Sequence, residues 1–491
     1  MKLALFSSFA SVAVVGAHNL RAASSAAAVT SAASGTPVAA TSFSFTLAAT
    51  NPTAVPLASI VSHEPSMATH PLPSTYAPGS TPTAVTGAPP LPNAALLAPS
   101  AYPILDVVVP TDSPEVQQWI QDVANSGVTI PNISVTVAGG CPANAAAAAD
   151  TSRCWWTCGG CTRDTDVTTC PDQLTWGLTY DDGPSNYTPD LLAFLNEKNL
   201  KSTFFAVGSR VISFPTMLQT EYMEGHQIAV HTWSHPSLTT LTTEQIIGEL
   251  GWSKKVIKDV IGVTPSHFRP PFGDIDDRVR AIAEAMGLTP VMWTRISPLA
   301  TFDTDDFDLH SGLTTPSHVL QNWNYIEGNA STISTGFILL EHDLFEESVQ
   351  IATGYILPDA LAHQPAFKIE PVINCLNKPM NDAYIELNDN KVRVLASPVH
   401  RTQSSRLSDK PSRCFRRFSY ALIRCPRFRA SNRRSHRIRQ RGNTVCVTKR
   451  WIRLCVGFLS SIRVSTDMMD SMMKTGKRHA RNVARGSIYL M

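Results

Sequence analysis

Between Thr175 and Cys375, short runs of aromatic and β-branched residues alternate with longer segments whose apolar residues recur at helical spacing. This alternation constrains the fold more than any other feature. Repeated strand–helix units lay down parallel strands and pack the helices outside them. TWGLTYDD, STFFAVG, QIAVHTW, HFRPPFG, TPVMWT, TGFILLEHD and FKIEPVI supply about seven strands. TPDLLAFLNEKN, VISFPTMLQTEYMEG, TTEQIIGELGWSKKVIKDVIG, DDRVRAIAEAMG, a segment near VLQNWNYIEG and one around SVQIATGYILPDALAHQ read as helices. In the third of these, Ile246, Ile247, Leu250, Val256, Ile257, Val260 and Ile261 recur as an amphipathic stripe, with Thr243 ahead of them. The expectation is an α/β fold, a barrel or near-barrel, with its chemistry at the C-terminal ends of the strands.

Four polar clusters fall at those ends: Asp181-Asp182, His231-x-x-x-His235, Arg269-Pro-Pro-Phe-Gly-Asp and Glu341-His342-Asp343. A pair of adjacent Asp residues before Gly-Pro also suits a plain surface turn, and a lone pair of histidines is commonly no more than a solvent-exposed loop. Together they offer more. Two imidazoles at i and i+4 lie on one side of a strand or a helical turn. With one carboxylate they make a three-ligand divalent-metal site that leaves a position for water. The other Asp, turned elsewhere, is then placed to act as general base on that water. Arg269 can hold this base ionised, and His342 can donate a proton to the leaving group. A base and an acid on opposite sides suit hydrolysis of an amide or ester.

The flanks differ in composition. Met1 and Lys2 precede LALFSSFASVAVVGA, which reads as a secretory signal peptide over residues 1–17, cut after Ala17. Residues 18–100 are dominated by Ala, Ser, Thr and Pro and read as a flexible, low-complexity stalk. Asn132-Ile-Ser, Asn186-Tyr-Thr and Asn329-Ala-Ser are N-glycosylation acceptors, in keeping with secretion. Of 41 Lys+Arg and 39 Asp+Glu in the chain, 25 and 3 fall at or after Lys391, so 16 and 36 remain before it. An acidic body therefore precedes a basic tail over residues 391–491. The tail reads better as translated non-coding sequence than as a polyanion-binding arm, because it has no sustained period and a secreted acidic body gives nucleic-acid binding little support. Six cysteines lie in the body, at 141, 154, 158, 161, 170 and 375. The spacing in CWWTCGGC matches no common zinc pattern, so three disulfides are the better reading for an oxidising compartment. Trp155 and Trp156 read as packing within this extension (residues 101–171) before sugar stacking. For Trp233, Trp293 and Trp323, a glycan groove and the core are equal alternatives.

TYDDGPS, HTWSHP, RPPFGD, DTDDF and LLEHD resemble, in order, the five motifs of the polysaccharide deacetylases, carbohydrate esterase family 4, from Leu174 to Cys375. Within the family the chain looks most like the fungal chitin deacetylases. The resemblance implies a distorted (β/α) barrel over residues 172–376, followed by a short linker, 377–390, and a Zn2+- or Co2+-dependent hydrolase. It implies that Asp181 is the base, that Asp182, His231 and His235 hold the metal, and that Arg269 braces Asp181. It further implies that the backbone N–H of Phe272 stabilises the oxyanion, that His342 is the acid tethered by Asp306, and that Cys170 pairs with Cys375. The substrate would be chitin, a polymer of N-acetylglucosamine; the protein would be a monomer, secreted to a cell wall or associated with the plasma membrane, without a nucleic-acid partner. Phe272 stands where the family usually has Tyr, and Phe307 where it usually has Trp. RGSIYLM, the last residues, has no long apolar tail of the kind a lipid-anchor signal needs.

Overall fold

The computed structural model describes residues 45–62, 70–297 and 300–388. The signal-peptide segment and the basic tail lie outside the described residues. Ten short strands run β1 Thr175–Gly177, β2 Thr179–Asp181, β3 Thr203–Ala206, β4 Gln227–Val230, β5 His267–Phe268, β6 Thr289–Pro290, β7 Arg295–Ser297, β8 Ala300–Thr301, β9 Phe337–Ile338 and β10 Lys368–Glu370. Two parallel sheets hold most of them, in the orders β2-β3-β4-β5-β6 and β10-β1-β9. All four residues of β3 and of β4 are buried, as expected of parallel strands covered on both faces.

The seven expected strand segments are all present, with differences. TWGLTYDD is broken at Leu178, whose N–H bonds Glu370 O while its carbonyl accepts from Thr203 N. The break hands the first strand from β10 to β3, so the sheet divides in two. The two sheets meet again through Asp181 N to Glu341 O at 2.9 Å and Thr294 N to Ile338 O at 2.9 Å. The hairpin β7–β8 is antiparallel and had no sequence signal. The expected helix VISFPTMLQTEYMEG is two, Gly208–Ser213 and Pro215–Met223, since proline starts a helix more readily than it continues one. The long helix Thr243–Ile261 is capped by Thr242, with Gln245 completing a capping box, and ends at Gly262 in the left-handed region.

The core between the sheets packs Phe205, Ala229, Val291 and Ile338 against the Cys170–Cys375 disulfide. Two more disulfides, Cys141–Cys158 and Cys154–Cys161, close the extension. Trp155 and Trp156 are buried, as are Trp233 and Trp323. The Trp233 indole N–H bonds Ile104 O, and that of Trp323 bonds Asp359, so both belong to the core.

Two expectations about the flanks are corrected. The described part of residues 18–100 is no flexible stalk: Ile60, Val85 and Leu91 are buried. Its backbone is tied to distant helices, as in Asn51 N to Gly354 O and Gln219 Nε2 to Pro92 O. Nor is 377–388 a linker. Tyr384 is fully buried, and its hydroxyl accepts from Ile228 N at 3.2 Å. In both cases a few buried side chains anchor a segment whose overall composition gives little sign of packing.

Candidate functional site

The site forms where β2, β4, β5 and β9 end. Asp181 is the last residue of β2, and Asp182 follows with φ 76°. Asp tolerates that left-handed conformation better than most residues. The turn sends the two neighbouring carboxylates to different partners. Asp181 Oδ1 accepts from Arg269 Nη1 at 2.7 Å, whereas Asp182 Oδ1 lies 3.2 Å from both His231 Nε2 and His235 Nε2. Asp182, His231 and His235 each present one donor atom within 4.8 Å of the others.

HTWSHP lies on neither a strand nor a helical turn, against the expectation from spacing. His231 follows β4, and Thr232 and His235 both take positive φ, 64° and 60°. The chain folds back, and the two imidazole rings come within 5.0 Å of each other. His231 Nδ1 donates to Arg269 O at 2.8 Å. That bond fixes the tautomer and leaves Nε2 with its lone pair toward Asp182. His235 is neutral near pH 7: burial above all pulls its pKa down to about 4. For Asp182 burial works upward, but His235 and His231 outweigh it and hold the carboxyl below its ordinary range. Two imidazole lone pairs and a buried carboxylate oxygen thus converge on one point, which fits a divalent cation of borderline hardness.

Arg269 is fully buried. Besides Asp181 it donates to Thr179 Oγ1 and Val291 O, and its guanidinium lies 4.3 Å from the Phe205 ring centroid. A guanidinium so held cannot leave its carboxylate, so Asp181 is locked in one orientation. Across the pocket, His342 Nδ1 pairs with Asp306 Oδ1 at 2.8 Å, and its backbone N–H bonds Asp306 Oδ2 at 2.9 Å. Burial alone would lower the His342 pKa; Asp306, with help from Asp182 and Asp181, raises it to about 10. Phe307, at the position noted for its departure from Trp, packs its ring 5.2 Å from that of His342.

Phe272 adopts φ 58° and is half exposed, with its ring 4.6 Å from His235. Its loop is clamped from the extension. Asp274 accepts from the Trp155 indole N–H at 2.7 Å and from Thr239 N at 2.8 Å, and Trp156 N donates to Ile275 O. Gly273 lies directly under Trp156: a Cβ there would stand 2.3 Å from the indole.

These groups line one pocket of about 280 Å³, which brings together Asp181, Asp182, His231, His235, Phe272 and His342. Arg269 and Asp306 stand behind its wall. Trp293 also lines it, so of the three tryptophans weighed for a groove this one is placed there. Asp303 is a lining residue that sequence reasoning passed over. Burial and Asp305 push its pKa up to about 7. Its only signal was its place as the first Asp of DTDDF. Among the described residues, no helix is long and apolar enough to cross a membrane.

Comparison with known proteins gives three kinds of similarity. Residues 168–291 match the family model described as polysaccharide deacetylase. The chain is 52% identical over 353 residues to chitin deacetylase 1 of Cryptococcus neoformans var. grubii, covering 71% of this chain and 74% of that one. It is 40% identical over 201 residues to a chitin deacetylase of Amylomyces rouxii, covering 39% and 46%. So the chain spans about three quarters of the first relative and about half of the second. Among solved structures, the chitin deacetylase of Colletotrichum lindemuthianum aligns with a TM-score of 0.39 at 22% identity, over 45% of this chain and 94% of that one.

Proposed function

Since this chain belongs to the polysaccharide deacetylase family, we propose that it is a metal-dependent chitin deacetylase. It hydrolyses the N-acetyl groups of β-1,4-linked N-acetylglucosamine, releasing acetate and leaving glucosamine units. The observation that carries this reading is the division of labour between Asp181 and Asp182, one held by Arg269 and the other facing two imidazole nitrogens at 3.2 Å. We read the two sheets, joined through Asp181 and Thr294, as a distorted barrel whose rim carries the site.

Asp182, His231 and His235 are the residues that would hold Zn2+ or Co2+. When bound, such an ion supplies Lewis-acid chemistry, acidifying a water and polarising the acetamide carbonyl. Asp181, held in place by Arg269, accepts the proton of the attacking water as its oxygen bonds to the carbonyl carbon. The backbone N–H of Phe272, presented by the positive φ of that residue, supports the oxyanion of the tetrahedral intermediate. His342 enters protonated because Asp306 holds it so. It gives that proton to the sugar nitrogen as the C–N bond breaks. Acetic acid and a free amine leave, the acid giving up its own proton to solvent as acetate, and the proton taken by Asp181 passes through solvent to replace the one His342 has given up. The three disulfides suit an oxidising compartment, so the site of action is outside the cell, at a chitin-bearing wall.

The test is acetate release from an N-acetylglucosamine pentamer, with the protein chelated and then resupplied with zinc or cobalt. Release should depend on metal. Asp181→Asn should reduce kcat by about 10²–10⁴-fold, the usual contribution of a general base, while zinc content stays at one ion per chain. Release that survives in Asp181→Asn, or that ignores chelation, would sink this assignment.

A further inference from the structure

Trp293 lines a second pocket as well as the catalytic one. This neighbour holds about 220 Å³. Trp156, Gly160, Thr162, Thr169 and Arg295 are among its other walls. Gly160 lies in the loop closed by the Cys154–Cys161 disulfide, so this pocket is built partly from the extension and partly from the hairpin β7–β8.

Its chemistry is that of a sugar site. Hydroxyl side chains, one guanidinium, two tryptophans and Ile296 line it, and no carboxylate does. A ligand rich in hydroxyls and carrying no charge suits such walls: a guanidinium and hydroxyls give oriented hydrogen bonds, and the apolar side of a sugar ring packs against indole. Both pockets fall below the roughly 300 Å³ at which drug-sized sites begin, so each has room for about one pyranose ring. Because Trp293 is common to both, consecutive rings of one chain would fill the two.

The pocket is also held in shape. The Arg295 guanidinium lies 5.1 Å from the Trp156 ring centroid, and its Nη1 donates to Trp156 O at 3.3 Å. Gly160 has φ 70°, and a Cβ there would stand 3.0 Å from Arg295 Cδ, so the loop approaches the arginine as closely as glycine allows. Trp156 itself packs edge-on to Trp293 at 4.5 Å. Its peptide is pinned to the Phe272 loop through Ile275 O.

We infer that the disulfide-closed loop Cys154–Cys161, together with Arg295, forms a second sugar subsite that takes a neighbouring N-acetylglucosamine unit of the same chain. The inference rests on the chitin deacetylase reading for the identity of the sugar. It assigns to the extension a part in substrate recognition that the catalytic motifs do not supply.

Two variants test it in the full-length, zinc-loaded protein. Arg295→Ala removes the guanidinium, and Thr162→Trp fills the pocket from its exposed rim. Both should raise KM for the N-acetylglucosamine pentamer about tenfold, the equivalent of one charge-assisted hydrogen bond, with kcat within about twofold. Hydrolysis of 4-nitrophenyl acetate, which needs only the catalytic pocket, should not change. An unchanged pentamer KM in both variants overturns the subsite, and so does an equal loss on both substrates. If the unaltered protein hydrolyses neither substrate, the deacetylase reading fails by itself. Calorimetric titration of the pentamer then decides: weaker binding by Arg295→Ala supports the subsite, and equal binding rejects it.

Discussion

At the scale of single residues, the site works by giving like groups unlike surroundings. Asp181 and Asp182 are neighbours of the same type, yet one meets a guanidinium and the other two imidazoles. The same holds for the histidines. His235 is pulled down to about 4 chiefly by burial, while His342, also buried, is carried up to about 10 because Asp306 outweighs that burial. Neutral imidazoles bind metal and a protonated one donates, so the two shifts suit the roles proposed for them, His235 as ligand and His342 as acid. Asp306→Asn tests the second half. With the carboxylate gone, burial dominates and the pKa of His342 falls. The protonated form that the proposed mechanism consumes is then lost at lower pH. The basic limb of the kcat/KM profile should move toward neutrality, and activity at pH 9 relative to pH 6 should drop at least about tenfold against the parent. Parallel profiles in the two proteins would show that Asp306 does not set the acid.

At the scale of elements, packing of the extension against the domain turns on one glycine. Helix Pro114–Ala124 crosses helix Thr243–Ile261 with Trp119 over Gly251, and the Trp119 and Trp252 rings meet edge-on at 5.6 Å. A Cβ at position 251 would stand 2.2 Å from Trp119 Cε3. Alanine is favoured over glycine in a helix by about 1 kcal/mol, but the overlap falls on a rigid ring, and overpacking costs about 1–3 kcal/mol. Gly251→Ala should therefore destabilise the protein in chemical denaturation. In a Trp119→Ala background the same change should stabilise it, and this reversal of sign in the double-mutant cycle is the decisive outcome. The sequence made such elements legible where the pattern was long and periodic, as in Thr243–Ile261 with its apolar stripe. It also placed every polar cluster at a strand end. It did not reveal that Thr232 and His235 take positive φ, because that conformation is imposed by the contacts of the closed site rather than by residue type. Nor did it reveal the hairpin β7–β8, whose strands are only three and two residues long. Asp303 was legible as a letter of DTDDF, but its exposure to the pocket depended on how that loop turns.

At the scale of the whole molecule, the described stretches 45–62 and 70–100 form a belt and not a tether. The belt is tied at widely separated points: the Tyr355 hydroxyl donates to Val55 O at 2.6 Å, Thr220 Oγ1 to Ser74 O at 3.1 Å, and Thr86 N to Asn381 Oδ1 at 3.0 Å. Composition pointed the other way, because Ala-, Ser-, Thr- and Pro-rich sequence lacks the apolar side chains that normally offset the entropy of ordering. The resolution lies in anchoring. Ile60, Val85 and Leu91 are each almost wholly buried, and prolines between such anchors leave the unfolded chain less freedom to lose. A flexible stalk and a belt make opposite forecasts for a charge placed on an anchor. In a stalk, Val85→Asp costs nothing. In a belt it buries an unpaired carboxylate, which should cost more than ~2 kcal/mol and lower Tm by several degrees. Ala77→Asp, at an exposed position in the same stretch, should leave Tm unchanged and so controls for added charge. Equal melting of the two variants would return this stretch to the stalk its composition suggests; separate melting would make it part of the folded domain, and any shortened form of the enzyme would then have to keep it.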